Sequence, residues 1–139
     1  MRTLSWLLVI CLYGLSSAPV RADSGPDQDE VVARADSDGV QRVRIVGGEY
    51  FFKEKTVVVK VNMPVEFLLR KEAGIVPHTF VIDAPEAGIV LDEEMGTEGK
   101  TVAFTPTAVG SYPFYCRNKL LFFKSHRERG MEGVLRVVP

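Results

Sequence analysis

The sequence predicts an all-β sandwich or barrel, and three observations predict it. Short runs of β-branched and aromatic residues alternate with polar ones at the two-residue period of a half-buried strand. Gly, Pro and Asn punctuate the chain between those runs. No stretch carries apolar residues at helical spacing for long enough to make an amphipathic helix, and no internal repeat is present.

The first element is one to remove before folding is considered. Residues 1–22 hold a short basic start, an apolar run from Leu4 to Leu15, and the small-residue pattern Val20-Arg21-Ala22, which together read as a secretory signal peptide. Cleavage after about Ala22 takes 22 of 139 residues and leaves 117, one domain of ordinary size. It also removes Cys11, so Cys116 stays as a single thiol with no intramolecular partner. Secretion implies the periplasm as the working compartment, where an unpaired thiol invites oxidation and needs a reason to be there. Residues 23–39 are acidic and poor in apolar side chains, and read as a flexible N-terminal arm. Residues 40–139 read as the folded domain.

Within that domain Val43 and Ile45 alternate with Arg42 and Arg44 until Gly47-Gly48 interrupts, ahead of Tyr50-Phe51-Phe52. Residues 56–61 form a β-branched block, Asn62-Met63-Pro64 a turn, and residues 65–70 a further strand. Ala73-Gly74 opens a loop into Val76-Pro77-His78-Thr79-Phe80-Val81-Ile82, where Pro77 sets the entry to a short apolar strand with His78 at its mouth. Residues 83–99 read as the longest irregular stretch, with a helical turn over 89–95. Residues 100–105 resume a strand, and 107–110 turn the chain into its last third.

That last third carries the chemistry. Tyr112, Phe114 and Cys116 alternate with Pro113 and Tyr115, which puts the thiol on the same face of a strand as two aromatics. His126 and Met131 follow, then a turn at Gly133 and the alternating Leu135 and Val137. The chain has only two histidines, His78 and His126. A thiolate, two imidazoles and a thioether are the donor types of a trigonal copper site with a weak axial sulfur. Zinc accepts the first three but gains little from a thioether. The plain alternatives are a buried free cysteine acting as a small hydrophobe and histidines on the surface or hydrogen-bonded in the core. Met63 and Met95 read as packing residues.

Taken together, Pro77-His78-Thr79-Phe80, then Gly110-Ser111-Tyr112-Pro113-Phe114-Tyr115-Cys116, then His126 with Met131-Glu132-Gly133, Leu135 and Val137 resemble a type 1 (blue) copper protein of the cupredoxin family, plastocyanin- or azurin-like. The resemblance covers about residues 40–138. It implies a cupredoxin-like Greek-key β-sandwich of eight strands with one copper per chain near one end. By position His78 and His126 would be the imidazole ligands, Cys116 the thiolate and Met131 the long axial ligand. Thr79 would offer its backbone N–H toward the cysteine sulfur, and His126 would lie near the surface as the route for the electron. One departure stands out. Small members of the family place the second histidine only a few residues after the cysteine, whereas nine residues, 117–125, intervene here. Loop closure grows costlier only slowly with length, so such an insertion need not abolish the site; a tilted His126 or altered hydrogen bonding at the sulfur would give a more distorted, greener or less stable centre.

The implied function is one-electron transport in the periplasm, with a cytochrome or oxidase as redox partner. The alternative is copper tolerance, buffering or delivery through the same ligands, with a copper-handling protein as partner. An open-site copper enzyme is argued against by Met131 as fourth donor, and the carboxylates over 83–98 have no spacing that suggests acid–base catalysis. A metal-free interaction module that merely keeps the fold is the remaining reading. Formal net charge is −1, so a nucleic-acid partner has no electrostatic support. Charge is nonetheless segregated: residues 83–98 carry six acids and no base, and 117–129 carry five bases against Glu128. The insertion itself contains Leu120, Leu121, Phe122 and Phe123. Those four are expected to fold back over the sandwich end, with an apolar patch for a redox partner or a membrane complex as the second reading. A monomer is expected.

Overall fold

The structure is a computed structural model and describes residues 30–139; the expected signal peptide and residues 23–29 of the acidic arm lie outside them. Nine strands follow in chain order: β1 (Glu30–Val32), β2 (Gln41–Gly47), β3 (Thr56–Lys60), β4 (Val65–Lys71), β5 (His78–Ala84), β6 (Ile89–Met95), β7 (Lys100–Phe104), β8 (Gly110–Tyr115) and β9 (Glu132–Val138). The described residues form two sheets, one with strand order β1-β3-β9-β8-β5-β6 and one with order β2-β4-β7. The all-β sandwich expected from the sequence is therefore the fold.

Two-residue periodicity explains most elements directly. Val43 and Ile45 of β2 are buried while Arg42 and Arg44 face solvent, and Val65, Phe67 and Leu69 of β4 repeat the pattern. β5 differs, with every residue buried except Asp83, because β6 and β8 flank it and the other sheet covers its inner face. Phe52, Phe67, Phe80 and Phe114 form the centre of the core, with ring centroids 5.2–5.9 Å apart, most of them edge-on.

Four sequence expectations change. Residues 89–95 are a strand, not a helical turn. β6 pairs antiparallel with β5 along its whole length, from Ala84↔Ile89 to His78↔Met95, and this pairing overrides the local ambiguity of the stretch. Gly133 does not turn the chain but lies inside β9. A Cβ there would stand 2.3 Å from Cζ of Phe114 and 2.7 Å from the Lys55 carbonyl oxygen, so the missing side chain is what admits the phenyl ring. The sheet starts upstream of Val40, because Glu30–Val32 runs parallel to β3 and Val31 packs on the core. Arg42 then ties down the following turn through Asp36 and Asp38, at 2.9 and 2.8 Å. Finally, the described strands number nine, where the resemblance implied eight.

Candidate metal centre

His78 opens β5, and its neighbours Phe80 and Ile82 point to the same inner face. Cys116 follows directly on β8, on the buried side shared with Tyr112 and Phe114, as the alternation required. The Cys116 N–H donates to the Met131 carbonyl at 3.0 Å, which continues the β8–β9 ladder and fixes the thiol beside the sheet end. His126 and Met131 arrive from the intervening loop. The Met131 N–H and the Arg129 N–H both donate to the His126 carbonyl, and Gly130 takes the left-handed conformation that closes this compact turn.

The nine-residue insertion does not displace His126. The His126 N–H donates to the Asn118 carbonyl at 2.9 Å, so the extra residues are pinched at their base and loop outward. At its tip the Phe123 N–H donates to Leu120 O, and Leu121 has a φ of 47°. All four apolar side chains of the tip are exposed, Phe122 at 85%. They do not fold back over the sandwich.

The donor atoms meet. Nδ1 of His78 lies 3.2 Å from Nδ1 of His126, and Nδ1 of His126 lies 3.4 Å from Sγ of Cys116. Ligand atoms of the three residues all fall within 4.8 Å of one another, and all three residues are buried. Such separations suit a single ion about 2.0–2.3 Å from each donor. Burial, the neighbouring His126 and the Lys71 charge push the pKa of His78 down from 6.5 to about 4. Burial and then the Arg129 charge lower that of His126. Both rings are thus held neutral near pH 7, the state in which an imidazole nitrogen ligates a metal. Met131 is fully buried and its methyl end reaches the space over Gly47.

Thr79 sits where the sequence expected it to act on the sulfur. Its backbone N–H donates to Sγ of Cys116 at 3.3 Å. Its hydroxyl donates to Oδ1 of Asn118 at 2.9 Å and accepts from the Arg117 N–H at 3.1 Å. The hydroxyl proton is therefore spent on Asn118, and the 3.6 Å approach of Oγ1 to Sγ is a contact rather than a second donation. Nδ2 of Asn118 donates to Pro77 O, which ties the loop before His78 to the segment after Cys116.

Two residues that sequence reasoning did not single out, and one that it read as packing, surround the site. Tyr50 sets its ring edge-on to His126 with centroids 4.9 Å apart, and the Arg129 guanidinium covers the same tyrosine at 4.4 Å. Its φ of 151° is an uncommon value for a residue with a side chain. Asn118 is the second. Met95 is the third, paired with His78 across the β5–β6 ladder. No local signal could have marked any of them, since each matters only through a long-range contact. His126 is 7% exposed and forms part of the floor of a cleft of about 980 Å³ that Tyr50, Ile75, Leu120 and Phe123 help to line, so it lies deeper than the resemblance implied.

No protein-family model matches the chain, and no curated protein does. Solved structures do match. The metal-binding domain of a Cu(I)-exporting P-type ATPase from Streptococcus pneumoniae is 23% identical over 81% of this chain and 98% of that domain, with a TM-score of 0.54. A copper-binding protein solved by NMR in its apo form is 21% identical over 78% and 96%, also at 0.54. Auracyanin A, a blue copper protein of Chloroflexus aurantiacus, is 19% identical over 72% of this chain and all of its own, at 0.53. At these identities the likeness establishes the fold: the sandwich is cupredoxin-like. What this chain binds has to come from its own donor atoms.

Proposed function

We propose that the chain is a type 1 copper protein that carries single electrons, with one copper held by His78, Cys116, His126 and Met131. The observation that carries this reading is the convergence of two imidazoles and one thiol, at 3.2 and 3.4 Å, at the end of a cupredoxin-like sandwich. Copper would supply a Cu(I)/Cu(II) couple at that point. The chain's own part is to keep the donors still. Strands β5 and β8 fix His78 and Cys116, the Asn118 pinch and the Tyr50 ring fix His126, and the Thr79 N–H withdraws electron density from the sulfur. On this reading the ion is held by protein side chains alone, as suits a carrier. The test is spectroscopic: copper-loaded protein should show an intense visible band that Cys116→Ser abolishes, and a colourless complex overturns the reading.

The partner docks, on this reading, at the exposed tip beside the cleft. Leu120, Leu121, Phe122 and Phe123 are exposed, and Ile75 across the cleft is fully so. Arg117 and Arg127 are engaged by Asp92 and Glu132, which leaves Lys119, Lys124 and Arg129 to give the rim its positive sign. An apolar patch ringed by cations suits a redox protein with an acidic rim. The location is, on this reading, the periplasm, supported by the basic start, apolar run and cleavage pattern of residues 1–22.

A second reading, copper buffering or delivery, draws support from the two copper-binding structures that cover 81% and 78% of this chain. Cu(I) affinity, reduction potential and growth on copper after deletion separate the two.

A further inference from the structure

Two thioethers, not one, end at the same spot. A Cβ built on Gly47 would lie 3.2 Å from Cε of Met131, and 3.4 Å from both Cε and Sδ of Met95. Gly47 closes β2, so its bare Cα opens the space in which Met95, at the end of β6, and Met131, in the loop just before β9, meet. Met95 is the direct partner of His78 in the antiparallel register, and side chains so paired stand side by side on one face. It is 4% exposed and lines the cleft together with His78 and His126. The terminal residue of β6 thus carries a buried thioether next to one imidazole, and its end meets that of Met131, whose backbone is hydrogen-bonded to both Cys116 and His126.

From this juxtaposition we propose that Met95 is a second thioether donor to the reduced ion, so that Cu(I) is met by Met95 as well as by Met131. The inference rests on the copper reading above. Thioethers favour Cu(I) over harder ions, so a second one holds the reduced state more tightly without adding charge. It also gives the centre a soft donor on its β6 side, independent of the loop that carries His126 and Met131.

The experiment uses the mature chain with methyl-13C methionine, titrated with Cu(I) under anaerobic conditions. The methyl signals of Met95 and Met131 should both move on binding while that of Met63, in the β3–β4 turn, stays. In parallel, Cu(I) affinity is measured by competition with bicinchoninate for wild type, Met95→Leu, Met131→Leu and the double variant. Leucine keeps the volume, and melting of the metal-free variants checks that packing is preserved. Met95→Leu should weaken Cu(I) about tenfold, and the double variant more than either single one. A Met95 methyl that ignores Cu(I), or a Met95→Leu affinity equal to wild type, overturns the assignment and leaves the copper reading standing. A wild-type chain that binds no copper overturns the reading beneath it, and Met95's role with it.

Discussion

The two halves of the centre are built by different means. His78, Thr79 and Cys116 belong to β5 and the end of β8, where neighbouring strands and the phenylalanine core hold them. His126 and Met131 belong to a loop held by a few backbone hydrogen bonds, one tyrosine ring and a glycine in the left-handed region. The contrast shows why the long insertion is tolerated. Extra residues enter only the half that is tied at discrete points, and the Asn118–His126 hydrogen bond excludes them from the geometry of the centre. The strand half has no such freedom, because a change there propagates through a close-packed core.

Disturbing the strand half should have the largest effect. Phe114→Ala empties the place under Cys116 and beside Gly133, and should cost about 3–5 kcal/mol in denaturant unfolding. A cost below about 1 kcal/mol would mean that the core does not hold the thiol in place. Thr79→Val comes next: the Arg117 N–H loses its acceptor and Asn118 its donor, so stability should fall by about 1–3 kcal/mol. The backbone N–H at the sulfur remains in that variant, and the visible band should survive.

The loop half should respond in affinity and spectrum more than in stability. Tyr50→Ala removes the edge contact on His126 and the platform under Arg129, so copper affinity should drop and the band should shift while the melting temperature changes little. An unchanged band would show that the strand half alone sets the geometry. Protons supply a reversible version of the same comparison. The folded pKa of His78, about 4, lies below its ordinary 6.5, so the metal-free fold binds fewer protons than the unfolded chain between those values. Stability of the metal-free protein is therefore full above about pH 6.5 and declines as pH falls toward 4. Thermal melts across that window should show the loss, and His78→Gln should reduce it to the part that His126 contributes. The smallest effect belongs to the insertion tip. Replacing Leu120, Leu121, Phe122 and Phe123 together by serine should leave spectrum and melting nearly unchanged, since exposed positions usually shift stability by no more than about 0.5 kcal/mol each. Only electron exchange with an acidic-rimmed partner should slow.

What the sequence could reveal follows the same division. Donor types are rare in this chain, so the two histidines, the one downstream cysteine and Met131 were legible from identity and order, and Tyr112-Phe114-Cys116 from alternation. Met95 was not, because its significance lies in the register that sets it opposite His78, and register is a property of pairing rather than of the local run. The same cause explains β6, whose strand character comes from β5. Gly133 resembled a turn residue because glycine signals turns on average; only the Phe114 ring over it explains its absent side chain. The insertion tip reads as a cover for the sandwich end because apolar side chains are usually buried, and its exposure is visible only once the Asn118–His126 hydrogen bond is seen to loop it outward.

The most direct measurement is copper stoichiometry together with the optical and EPR spectra of the mature chain, for wild type and for Cys116→Ser, His78→Ala and His126→Ala. One copper per chain with an intense visible band, lost in the cysteine variant and weakened or displaced in each histidine variant, is the expected result. A wild-type chain that binds copper without colour, or whose band persists after Cys116→Ser, would contradict the claim that these three side chains hold one ion.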